Sequence, residues 1–193
     1  MKYILILVLL TFSLCEDEKK QAVGSWTKHS FNENSLEIEQ SFRKAAKEYC
    51  ESHDVEADDL IRLTVYSQLV NGVNYKITFM DPTSEYPTIE EYRVYKASGN
   101  KPEDYKVEEN VKYENTEGVI SFNDPSFTLL ENQLYKFLKE SKEELDFISY
   151  VYPLENDFTN FYIINAQTKD GEHKYVACQD KSNNKFDSFD KIK

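Results

Sequence analysis

The apolar pattern of this chain changes period repeatedly, from helical to alternating and back, and that succession leaves few folds open. Ile38, Phe42, Ala45, Ala46 and Tyr49 recur at helical spacing and form one buried stripe. Asn34 stands where an N-cap is needed, with Glu37 in the reciprocal place of a capping box. After the polar stretch 53–59, Ile61, Leu63 and Val65 alternate with Arg62, Thr64 and Tyr66, the pattern of a half-buried strand. Val73, Tyr75, Ile77 and Phe79 alternate in turn, so Gln68-Leu69-Val70-Asn71-Gly72 between the two runs falls at a hairpin tip. A turn from Pro82 to Pro87 leads to a third strand marked by Ile89, Tyr92 and Val94. Ser98-Gly99-Asn100-Lys101-Pro102 turns the chain again before a last strand through Tyr105, Val107, Val111 and Tyr113.

The same succession then begins again. Asp124 is a fit N-cap with Pro125 at the first helical position, and Phe127, Leu130, Leu134, Phe137 and Leu138 make a second stripe. Phe147 to Tyr152, Phe161 to Ala166 and His173 to Gln179 read as strands, with Lys169-Asp170-Gly171 as a hairpin turn. Setting helix on helix and loop on loop requires an offset of about 87–90 residues, the mark of a duplicated module. The expected fold is α+β: one helix packed on a four- to five-stranded antiparallel sheet, present twice in tandem.

Residues 1–15 read as a signal peptide, with Lys2 at its start, an apolar run from Ile4 to Leu10, and Ser13 and Cys15 before the cut. A polar tail, 16–21, follows. The mature chain is therefore expected in the secretory lumen or outside the cell, with no membrane attachment after cleavage. Net charge is −12 over the whole sequence, a surface that repels phosphate backbones and argues against a nucleic-acid partner. Cys50 and Cys178 remain after cleavage, either bonded to each other or held as buried free thiols. His29, His53 and His173 are widely spaced, with no Gly-x-Ser-x-Gly elbow and no local Cys-His pairing. Neither an enzyme activity nor a metal or other cofactor is expected.

Gln68-Leu69-Val70-Asn71-Gly72 matches the Gln-x-Val-x-Gly loop of the cystatins, and Val23-Gly24 precedes the helix as it does in that family. The stretch from Ala22 to about Tyr113 resembles one cystatin module throughout. The resemblance implies a first cystatin-like domain over 22–117 and a degenerate second over 118–193. It also implies a function: reversible inhibition, by a monomer, of papain-like cysteine endopeptidases of the cathepsin class. In that scheme Val23, Gly24, Gln68, Leu69, Val70, Asn71, Gly72 and Pro102 meet the protease, and the stiff apolar tip excludes water from the cleft. Many cystatins carry a Pro-Trp pair in the second loop, whereas Ala97 to Pro102 offers Pro102 and no aromatic, so weaker anchoring is expected. Trp26, the sole tryptophan, either packs on the protein's own surface or touches the protease rim. Glu155 to Thr159, the matching loop of the second module, keeps none of the motif residues and is expected not to inhibit. The rival reading is a secreted, non-inhibitory cystatin-like module that binds other proteins.

Overall fold

The computed structural model describes residues 24–30, 33, 35–84, 88–114 and 118–192. The segment read as a signal peptide, the tail 16–21, Val23 and Asn34 lie outside those residues. The first half comprises β1 (Trp26–Lys28), α1 (Leu36–Cys50), β2 (Ile61–Val70), β3 (Gly72–Met80), β4 (Thr88–Lys96) and β5 (Tyr105–Glu114). The second comprises α2 (Pro125–Glu140), β6 (Leu145–Glu155), β7 (Thr159–Thr168), β8 (Gly171–Asp180) and β9 (Lys185–Ile192). The chain is α+β, with two helices and two wholly antiparallel sheets, ordered β1-β2-β3-β4-β5 and β6-β7-β8-β9.

Both helices form where their stripes place them. Ile38, Ala45, Ala46 and Tyr49 of α1 are buried against Val65, Tyr75, Ile77, Phe79, Tyr92 and Val94 of the first sheet. Phe127, Leu130, Leu134 and Leu138 of α2 pack on Ile148, Val151, Ile164, Ala166, Tyr175 and Ala177 of the second. Asp124 caps α2 by accepting from the Ser126 amide at 2.8 Å, with Pro125 as its first residue. The cap of α1 differs from the expected one: Ser35 Oγ accepts from the Ile38 amide at 3.2 Å, one residue after Asn34. Glu37 takes no part in that cap and instead pairs with Lys96 Nζ at 2.8 Å, tying the start of the helix to the end of β4.

The faces of the two sheets turned away from their helices pack on each other, giving a helix–sheet–sheet–helix stack. Leu63, Met80 and Ile89 from the first half and Leu154, Phe161, Ile163, Val176, Cys178 and Ile192 from the second share one core. Each such side chain is worth about 1.5–3 kcal/mol when taken out of water. The shared layer therefore weighs heavily against a typical total stability of about 5–15 kcal/mol. It also corrects two expectations. β2 is not half-buried, because Tyr66 and Thr64 are as enclosed as Val65. Nor do Ile61, Leu63 and Val65 share a face: an irregularity between Arg62 and Thr64 reverses the alternation, so Ile61 and Leu63 meet the second sheet while Val65 meets α1.

The two thiols are free rather than bonded. Cys50 packs at the edge of the α1 core and Cys178 lies in the layer between the sheets, on the other side of the first sheet. Burial pushes the Cys178 thiol up to about 12, so it stays protonated and unreactive at neutral pH.

Asp190 is a cost in this arrangement. Paired with Val176 on the face turned to the first sheet, its buried Oδ2 has no hydrogen-bond partner, and desolvation raises its carboxyl above the ordinary value. A raised native value means that the stability the group contributes is present in acid and is lost as pH rises through that value. Asp190→Asn is therefore expected to raise Tm at pH 7 by roughly 2–4 °C, the shift about 1 kcal/mol produces in a chain of this size. Thermal melts across pH check the sign: the gain must shrink in acid, where Asp190 is itself neutral.

Candidate functional site

The first sheet presents three segments at one end, in spatial order: the chain entering β1, the β2–β3 tip, and the β4–β5 loop. In the β2–β3 hairpin Leu69 faces Val73 and Val70 faces Gly72, leaving Asn71 alone at the turn. Gly72 holds φ +118, and a Cβ there would lie 2.6 Å from both the Lys96 carbonyl oxygen and Tyr95 Oη. Only glycine fits so close an approach of backbone to backbone. Tyr95 Oη in turn donates to the Asn71 carbonyl, so the tip is braced by β4 as well as by its own strands.

Gly24 stands directly beside this tip. Its amide donates to the Leu69 carbonyl at 3.1 Å, and its own carbonyl accepts from Gln68 Nε2 at 2.9 Å. Gln68 is oriented from its other side as well, since Asn74 Nδ2 donates to Gln68 Oε1 at 3.3 Å. Gly24 has φ +86 but open space where a Cβ would stand, so in the free chain it serves the turn of the backbone. Leu69 and Val70 are each 37% exposed, two large apolar side chains at the tip of a polar protein.

The β4–β5 loop sits next to the tip because Val73 pairs with Lys96. Its far side is a 3-10 turn, Pro102–Asp104, with the Lys101 amide donating to Asp104 Oδ2 at 2.8 Å and the Ala97 amide to the Asp104 carbonyl at 2.9 Å. Pro102 is exposed on that turn. Thus Gly24, Gln68, Leu69, Val70, Asn71, Gly72 and Pro102 share one end of one sheet.

Trp26 faces the other way, into the protein. Its ring lies 6.4 Å from that of Phe158, and Lys76 Nζ sits 5.3 Å from its centroid. The indole thus packs on the protein's own surface.

The loop between β6 and β7, which matches the tip in chain order, is spent on internal contacts. Asn156 is 4% exposed and donates to Glu91 Oε2 at 2.8 Å, while its Oδ1 accepts from the amides of Phe158 and Thr159. Phe158 lies on Tyr66 with ring centroids 4.8 Å apart, and Thr159 Oγ1 is 3.0 Å from Tyr66 Oη. A loop pinned so is not a free tip. The pattern of the sequence gives no sign of the roles of Tyr95 and Lys28, nor of the contact between Trp26 and Phe158. Each belongs to a contact between segments far apart in the chain, which local periodicity does not encode.

No family model matches the chain, and no curated protein does either.

Proposed function

We propose that this chain is a reversible inhibitor of papain-like cysteine endopeptidases, a cystatin-like protein that plugs the active-site cleft with the Gly24 segment and the Gln68–Gly72 tip. The observation that carries this reading is the backbone hydrogen bond from Gly24 to Leu69, 3.1 Å long, which sets the two segments of the motif edge to edge. A braced tip loses little conformational freedom on docking, and its apolar side chains gain by leaving water. Nothing in the wedge offers a peptide bond to a nucleophile, so the complex is non-covalent. The tandem cystatin-like architecture belongs to this reading: the second half repeats the order helix, strand, strand, strand, strand, but gives its own tip to the contact with the first.

Titration of papain with mature protein tests it, with stoichiometric loss of hydrolysis expected. Unchanged hydrolysis at excess protein would leave the non-inhibitory binding module as the reading of this scaffold. Val70→Asp places a charge at the exposed tip and is expected to weaken inhibition by at least about tenfold, because that charge must be desolvated in the cleft. The inhibition constant measures the effect, and circular dichroism matching the wild type shows that the fold is kept.

A further inference from the structure

β1 carries Gly24 to its place, yet it is only three residues long, its pairing to β2 extended by one backbone bond on each flank, from the Gly24 amide to Leu69 and from the His29 amide to Val65. So short an edge strand is expected to fray. Within the first half the arm gains side-chain ties from His29 Nε2 to Ser67 Oγ at 2.7 Å and from Gln68 Nε2 to the Gly24 carbonyl at 2.9 Å, and Lys28 Nζ lies 5.7 Å from the Tyr66 ring centroid. The second half adds a hold through three separate segments. Phe158, from the β6–β7 loop, meets Trp26. Asp180, at the end of β8, pairs with Lys28 Nζ at 3.3 Å, and Asp187, from β9, pairs with the same ammonium more closely. Lys76 closes the set, 5.3 Å from the Trp26 ring and 5.1 Å from the Phe158 ring, while its Nζ pairs with Glu91 at 3.2 Å and Asp157 at 3.3 Å.

The Lys28 site is partly desolvated: burial opposes the ammonium, but its hydrogen bond to Asp187 and the fields of Tyr66, Asp187 and Asp180 hold it above its ordinary value. Asp180 and the Phe158 backbone are themselves held by local hydrogen bonds. Asp180 Oδ1 accepts from the Ser182 amide at 2.7 Å, and the Phe158 carbonyl accepts from the Lys181 amide at 3.0 Å.

We propose that the second half of the chain is a positioning device for the N-terminal arm: Phe158, Asp180 and Asp187 clamp Trp26–Lys28 onto β2, and so keep Gly24 beside Leu69 before a protease arrives. The proposal rests on the plug reading above. Ordering the backbone of even one residue costs conformational freedom. An arm left loose meets that cost on docking, whereas a clamped arm has met it on folding. Phe158, Asp180 and Asp187 are thus positioning residues that need not touch the protease.

Two variants, Phe158→Ala and Asp187→Asn, test it, with Phe158→Tyr as the conservative control. Hydrogen exchange is read at the amides of Thr27 and His29, the two of the arm that face β2, against those of β3 and β4, together with the papain inhibition constant. Trp26 emission serves as a local reporter, since the chain holds one tryptophan. In both variants the arm amides are expected to exchange at least about tenfold faster with β3 and β4 unchanged, and inhibition to weaken about tenfold, the effect of freeing one or two residues. Trp26 emission moves to the red in Phe158→Ala, and Phe158→Tyr behaves as the wild type. Should Phe158→Ala lose protection in β3 and β4 as well, Asp187→Asn alone decides, because it removes no buried apolar group. Arm protection and inhibition both at wild-type level in Asp187→Asn overturn the proposal. So does weakened inhibition with the arm still protected. If the wild type leaves papain active, the plug reading fails and takes the arm's purpose with it, and the exchange data separate that failure from absence of the clamp.

Discussion

Gly72→Ala is expected to weaken papain inhibition by roughly ten- to a hundredfold. The φ of +118 at this residue is a conformation that L side chains rarely adopt, and holding one there costs about 1–3 kcal/mol. Every 1.4 kcal/mol is about a tenfold change in affinity. The steric penalty adds to the strain: the new methyl would sit 2.6 Å from the Lys96 carbonyl oxygen, which is backbone and cannot swing aside, and equally close to Tyr95 Oη. Tyr95 would have to leave the Asn71 carbonyl, unbracing the tip on which Leu69 and Val70 stand. Gly171→Ala is the matched control. Gly171 has a similar φ, +129, but nothing within 4 Å of a Cβ, and it lies at the start of β8 away from the tip. It should therefore cost some stability and leave inhibition untouched. Equal potency of Gly72→Ala and wild type would show that the shape of this tip is irrelevant to the protease.

The tip was legible in the sequence because a second alternating run, Val73, Tyr75, Ile77 and Phe79, begins directly after Gln68–Gly72 and sets a turn between two strands. The helical stripes were legible for the same reason, since Leu130, Leu134 and Leu138 can share a face only on a helix. Periodicity fails where a side chain's partner is far away in sequence. Thr64 and Tyr66 read as the solvent side of their strand, yet both are buried, Tyr66 against Thr159 of the second half. β9 went unrecognised because an irregularity opposite Cys178 and Gln179 lets Phe186 and Phe189, three residues apart, both pack toward α2, an interval that suits no regular strand. β1 is too short to carry a pattern at all. The two thiols show the same limit: their positions gave no way to choose between a bond and burial, and only the sheet standing between them decides it.

Phe161→Ala is expected to destabilise the whole protein, not only the half that contains it. Phe161 is wholly buried at the middle of the layer between the sheets, flanked across the strands by Leu154 and Cys178. Removing such a ring costs about 3–5 kcal/mol, and in a chain of this size that lowers Tm by roughly 10 °C. The consequence for the first half follows from where the ring points, since the cavity opens against Leu63, Met80 and Ile89 as much as against its own sheet. If the layer binds the halves into one cooperative unit, the slowest amides of α1, around Ala45 and Ala46, lose protection by the same factor as those around Leu134 in α2. Were α1 to keep its wild-type protection while α2 lost it, the halves would unfold independently. A second half that opened on its own could not serve as a fixed support for β1, so this one substitution tests the physical premise of the clamp from a site remote from it.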